Sequence, residues 1–491
     1  HNMYPSNGAL LARTGVQLTY TYVPKSAGVG DTDHIPRGLF VTRENSKYYT
    51  IYGDRLFKAD SPFSATSFVD DITMPVIPSG GLYDDKYNAS AAISYTDIAI
   101  ATGTNNYVLD PSTDTLTEVA DADLPACKSV VYIDGRFVWL TADGESVFFS
   151  EVNAPENISA LSFFDAESRP DKNVELLVLG NDLYVLGEKS IERFRNTGDS
   201  TAPFVRVANS VLSVGYIGGL VNLGDSAMFI GQYENSSIEI FQLSAGSLRQ
   251  VSYGIVSEVL NSQYVVEYSS AIAPMRSARG QSWVDKGKGI VSFWLKGQFA
   301  NICFSATKGD DGVYQWGTLS DNPGNLDTSY RDWGETEIIG DAAVVYGHDF
   351  SWVNAAFVAG FWMFQRDAVV AQAGVGRMAT AHGTRGYDTG AGSTTEPVSK
   401  GVRVFIDKLD RKDYELSTLE VAYSIQGTNT KQDIRLTLSE TGNTSSWSTP
   451  MAISIPSDDR GRVRFQKSGG LAQFHGHLSM IVESAELNGF A

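Results

Sequence analysis

The chain has 491 residues, with 38 basic against 57 acidic side chains and a formal charge of -19, long enough for two or three average domains or one large β-domain with an appendage. The acidic balance argues against affinity for nucleic-acid phosphates, because such binding draws on counterion release to lysine and arginine. Only Cys127 and Cys303 are present, 176 positions apart, which excludes a disulfide-stapled framework and a multi-cysteine zinc site and points to assembly in a reducing compartment.

No basic and apolar leader opens the chain at His1, so export by a signal sequence is not expected, and residues 1–34 read as an N-terminal arm. From residue 35 a unit recurs: a turn residue, an apolar strand of four or five residues, a polar turn and a second strand. Its anchors are Asp54 before RLF, Asp97 before IAIA, Asp134 before GRFVWL, Asp182 before LYVLG, Asp225 before SAMFIG and Lys288 before GIVSFWL. Successive spacings are 43, 37, 48, 43 and 63 residues, close to the ~40–50 residues of a four-stranded propeller blade. Second strands follow at 107–110, 147–152, 190–195 and 237–243. Because 47 Gly, 23 Tyr and 24 Phe with few charges suit short pleated strands and tight turns, the prediction is all-β: a β-propeller of about six blades over residues 35–373. A β-sandwich with accidental spacing is the competing reading.

Further along, Asn322, Pro323, Gly324, Asn325 and the Trp333 region mark an insertion near 321–335. The apolar stretch from Asn354 to Phe364 is too short to span a bilayer as a helix and reads as a buried strand pair, so no membrane anchor is expected. Residues 374–397, rich in Gly, Ser and Thr, read as a linker or long loop. Alternating strands resume over 398–491, as a smaller C-terminal β-sandwich-like domain or as strands closing the ring.

Several motifs suggest chemistry and fail on context. VVAQAGVGRMA (369–379) fits a dinucleotide fingerprint, but Gly383, Gly386, Gly390 and Gly392 break the helix that would hold the pyrophosphate. His475 and His477 alternate as strand neighbours on one face, yet two ligands are too few for a metal. TADGESVF (141–148) is similar to the Asp-box turn of sialidase-like propellers, a structural turn even in glycosidases, and no spacing singles out the two carboxylates that hydrolysis needs. No nucleophile elbow is found. The glycosylation-type triplets at Asn88, Asn157, Asn235 and Asn443 lack a secretory context. No catalytic, cofactor-binding or metal-binding residue is therefore assigned.

Read together, DGRFVWL, a hairpin with FFSE, AESRPD (166–171), LYVLG, SIERFRNTG (190–198), VGYIGG (214–219), DSAMFIG and IVSEVLNS (255–262) resemble the packaged-DNA stabilisation proteins of short-tailed bacteriophages, the podoviruses. The resemblance is dense over 134–262 and thinner but collinear over 35–133, where HIPRGLFVTRENSKYYTIYGDRLFKAD matches the family's first-blade pattern; it is weak over 263–400. It implies a structural virion protein without catalysis: a homo-hexameric tail hub or nozzle below the portal and its head-to-tail adaptor. Such a ring continues the DNA channel, retains packaged DNA until ejection and carries needle, tailspike or fibre proteins. The resemblance further implies that DNA passes without sequence-specific binding and that the protein resides in the virion tail after assembly in the bacterial host cytoplasm. Glu167, Pro170, Asp171, Glu192 and Phe194 are expected to fix blade turns and packing. The alternative reading is a sugar-binding or glycosidase-like propeller.

Overall fold

The computed structural model describes residues 88–261 apart from 167, 200 and 235, most of 36–76 and 278–318, and otherwise a series of strands; for those within 3–22 and 346–407 it gives backbone pairing. Nearly every element is a strand, and the one helix among the described residues is the short Ile255–Leu260. The tight turns explain why. Asp134 and Gly135 have φ of 49° and 84°, the pair of positive values that a two-residue hairpin turn needs and that aspartate and glycine tolerate best. The turn reverses the chain between Cys127–Ile133 and Arg136–Thr141, which pair antiparallel.

Four such strands make each blade. Consecutive four-stranded sheets cover 36–71, 90–118, 127–165, 173–206, 214–250 and 279–318. Their second strands are buried on both faces, alternate side chains meeting the blades on either side. In the second strand of the fourth blade, Asp182–Gly187, Leu183 and Val185 pack with the third blade, whereas Tyr184 and Leu186 pack with the fifth. In the third blade Val138 and Leu140 face forward, and Phe137 and Trp139 face back towards Ala99 and Ala101 of the second. The run Ile98–Ala101 thus alternates large and small to admit a fully buried Trp139. Every neighbouring pair among these six blades shares such a core, which is how blades that cannot cover themselves become stable.

A seventh four-stranded sheet is built from distant segments. It joins Tyr346–Gly347, Phe361–Ala368 and Val375–Gly383 to Gly15–Tyr22 from the start of the chain, and its second strand lies against Pro36–Val41 of the first blade. The propeller, expected to have about six blades, has six in chain order, and the seventh sheet, shared between distant segments, lies beside the first of them. Residues 374–397 differ from the linker or loop expected of them. Val375–Gly383 is a nine-residue strand paired on both sides, and Tyr387–Thr389 and Thr395–Pro397 form a hairpin; glycine-rich composition is compatible with a strand when neighbours satisfy its backbone. The 321–335 insertion lies outside the described residues.

At the C-terminal end, Lys400–Asp407, His477–Ser484, Gln432–Ser439 and Met451–Ile455 form one sheet in that order. A second sheet contains Thr418–Ser424 and Arg460–Gln466, with Gly489–Phe490 linking them to the hairpin Met3–Ser6 and Ala9–Ala12. Residues 1–34, read as an arm, thus supply two strands to this sheet and one to the seventh blade.

Candidate functional site

Three zones of the propeller could carry function: the central axis, the turns at one end of the blades, and the connections between blades at the other. At the axis, the first strands of successive blades lie beside one another, and their polar groups are spent on joining neighbours. Ser90 Oγ accepts from Val130 N at 3.1 Å, Lys128 Nζ donates to Asn173 O at 2.7 Å, Leu176 N donates to Ser129 Oγ at 3.3 Å, and Asn222 Nδ2 donates to Val178 O at 3.3 Å. Burial pushes the Lys128 ammonium below its ordinary range. The axis is a stitched collar.

At the hairpin-turn end, charged side chains of one blade reach the last turn of the next. Asp114, at a positive φ of 58° in the second blade, accepts from Lys47 Nζ at 2.8 Å, from Tyr49 Oη at 2.6 Å and from Lys58, all of the first blade. Burial alone would raise this carboxyl, and hydrogen bonds from Lys47, Lys58 and Tyr49 overcome that effect and bring it to about 2. In the fourth blade Asp182 is buried yet held below the usual carboxylate range, because Arg195 and Arg193 outweigh its desolvation. Arg193 also donates to Ala245 O in the last turn of the fifth blade.

At the other end, carboxylates hold the inter-blade connections. Asp171 accepts from Lys189 N at 2.6 Å and Ser190 N at 3.1 Å, fastening the connection before the fourth blade to a turn within it. Glu192 is 2% exposed, accepts from Ser168 N at 2.6 Å and pairs with Arg206 at 2.6 Å. Its counterpart Glu239 accepts from Ser252 Oγ at 2.5 Å and Ser257 Oγ at 2.6 Å, fixing the start of the short helix. The repeated Ser-Ile-Glu of SIERFR and SIEIFQL is thus a device for anchoring connections. Phe194 packs against Phe164 at 4.6 Å. Pro170 lies in the same connection as Asp171, and Glu167 lies outside the described residues.

The remaining sequence motifs fall in structural roles. In the 141–148 turn, Thr141 Oγ1 donates to Asp143 Oδ1 at 2.6 Å and accepts from Ser146 N at 3.1 Å. The bond from Thr141 foremost, with one from Glu145 N at 3.1 Å, lowers the Asp143 carboxyl against its desolvation. Gly144 sits at φ +77°, and a Cβ there would lie 2.3 Å from Asn173 O, so the turn is built to abut the next blade. The dinucleotide-like 369–379 stretch leads into the strand Val375–Gly383 rather than a helix. His475 ends one strand, opposite Asp413, and His477 opens another, opposite Asp407. They are not neighbours on one strand face, because the chain changes partner between them. Cys127 is buried, and desolvation pushes its thiol well above its ordinary range. Asn88 is also buried. Among the described residues no three metal-ligating side chains converge, and no helix is long and apolar enough to cross a membrane.

Comparison with known families matches residues 2–284 to Phage_stabilise, described as Bacteriophage P22 Gp10, beta-propeller. No curated protein matches the chain. Similar solved structures include a chain from the S. cerevisiae complex of Dbp5 with Nup159 and Gle1, at 8% identity over 75% of this chain and 95% of that one, with a TM-score of 0.39. The WD40 domain of Neurospora crassa Pan2 is 8% identical over 64% and 97%, with a TM-score of 0.37. A quinonprotein alcohol dehydrogenase-like protein of Bacteroides thetaiotaomicron is 11% identical over 60% and 68%, with a TM-score of 0.36.

Proposed function

Since this chain belongs to the Phage_stabilise family of phage DNA-stabilisation β-propeller proteins, we propose that it is a structural component of a podovirus tail: a homo-hexameric hub or nozzle below the portal and adaptor. In this role it continues the DNA channel, holds the packaged genome until ejection and carries the needle, tailspike or fibre proteins. The observation that carries the reading is the family match over residues 2–284. The physical character of the propeller supports it, since carboxylates such as Asp114 and Asp171 are committed to joining its blades and connections.

The propeller axis is not the DNA path in this proposal. First strands of successive blades approach within 8 Å at Cα from the first blade to the sixth, so a ring of six or seven such strands is about 16–18 Å across before side chains are counted. A double helix, whose major groove alone is about 12 Å wide and about 8.5 Å deep, needs a wider passage. The channel therefore runs between subunits. With a formal charge of -19 per chain, its wall repels phosphates, and DNA slides without adhering. Retention is then steric.

Deleting the gene from the phage tests this reading. Heads are expected to fill and then lose their DNA, with retention restored by supplying the protein in trans. Particles that keep their genome without it would overturn the proposal.

A further inference from the structure

The junction between the fifth and sixth blades leaves open a space that the third and fourth blades fill from within. In the third blade Arg136, which opens the second strand, forms an ion pair at 3.7 Å with Glu151 beyond the end of the third. In the fourth blade Asp182 holds that place and pairs with Arg195 opposite, while Arg193 beside it reaches the next blade's last turn. In the fifth blade the corresponding residues are Ser226 and Ser244, which face each other across the two strands. Two hydroxyls stand where an ion pair stands elsewhere, and a cavity of about 490 Å³ opens beside them.

The chemistry of this cavity is cationic at its mouth and rich in hydrogen-bonding groups at its floor. Gln242 Nε2 donates to Ser226 Oγ at 3.2 Å and to Tyr314 Oη at 3.3 Å, and Tyr314 is buried. Arg249 and Lys308 line the space together with one acid among the described residues, Asp225, which accepts from Ser226 Oγ at 3.2 Å. The Arg249 guanidinium donates to neutral oxygens, Gln242 Oε1 at 3.1 Å and Gly312 O at 3.4 Å. Among the described residues neither Arg249 nor Lys308 forms an ion pair. Two cations thus stand against one acid among the described lining residues of this polar space.

We propose that this cavity binds a carboxylate group, held by Arg249 and Lys308 and received by the hydroxyls of the floor. A guanidinium fork matches the two oxygens of a carboxylate. Asp225 disfavours a group that gathers two negative charges on one centre, such as a phosphate dianion, over a single carboxylate. The carboxylate comes either from an acidic side chain of another polypeptide or from a free small dicarboxylate. The site is independent of the ring arrangement proposed above.

Calorimetric titration of the full chain with an acetylated Asp-Glu-Asp-Glu peptide and, separately, with succinate tests the proposal. Binding is expected to weaken at least tenfold in Lys308→Gln and in Arg249→Gln. It is expected to vanish when Ser226→Asp is combined with Ser244→Arg, which installs the ion pair of the fourth blade, with the melting temperature at or above that of the parent. Tighter binding of the peptide assigns the site to a protein partner, and tighter binding of succinate to a small molecule. Absence of binding by both probes, equal binding by every variant, or binding of sulfate as tight as that of the carboxylates would overturn it.

Discussion

Asp114 shows how single residues hold the ring together. One carboxylate takes donors from Lys47, Lys58 and Tyr49, so two blades meet on one side chain. Its folded value of about 2 lies below the ~3.9 of an unfolded aspartate. The stability it contributes is therefore fully present above about pH 4 and is lost as pH falls towards 2. Asp114→Asn keeps a residue suited to positive φ but removes the charge, and is expected to cost about 1–3 kcal/mol at neutral pH while flattening the acid slope. Urea titrations from pH 7 to pH 2 read both effects. Gly215 supplies a second case at this scale. A Cβ there would lie 1.9 Å from Glu188 O in the preceding blade, and Gly215→Ala is expected to lower unfolding free energy by about 1–3 kcal/mol. An unchanged urea midpoint would contradict that close approach. Neither role was legible in the sequence, where Asp114 is one acid among 57 and its partners come from another blade.

At the scale of elements, the blades were legible because their signals are local. Asp134-Gly135 is a turn by backbone chemistry, and an apolar run such as Leu183–Leu186 is a strand buried on both faces. Asp54, however, precedes the third strand of its blade, whereas Asp97, Asp134 and Asp182 precede or open the second, so the first anchor is out of phase. The seventh blade had no anchor to find, since its fourth strand comes from Gly15–Tyr22, far away in sequence from its partner Val375–Gly383. That closure makes a direct prediction. Removing residues 1–22 strips the outer strand from the seventh blade and the hairpin from the C-terminal sheet. Hydrogen exchange is expected to rise at least tenfold over 361–383 while 127–250 stays protected. Unaltered protection over 361–383 would show that the blade stands without its closing strand.

For the whole molecule, composition indicated the balance of forces, and assembly gives them a purpose. A body that spends carboxylates such as Asp114, Asp171 and Glu192 on internal ties, and whose first strands are joined by polar bonds around the axis, is suited to bearing load. The acidic excess was readable by counting. The open junction between the fifth and sixth blades was not, because Ser226 and Ser244 acquire meaning only beside the ion pairs of the third and fourth blades. The central claim is that copies of this propeller surround the DNA and do not thread it, and a cryo-EM reconstruction of the virion tail tests it most directly. The account predicts six copies in a ring below the portal, with DNA density running between subunits and the propeller axes clear of it. DNA passing along a propeller axis, or the protein standing away from the channel, would contradict it.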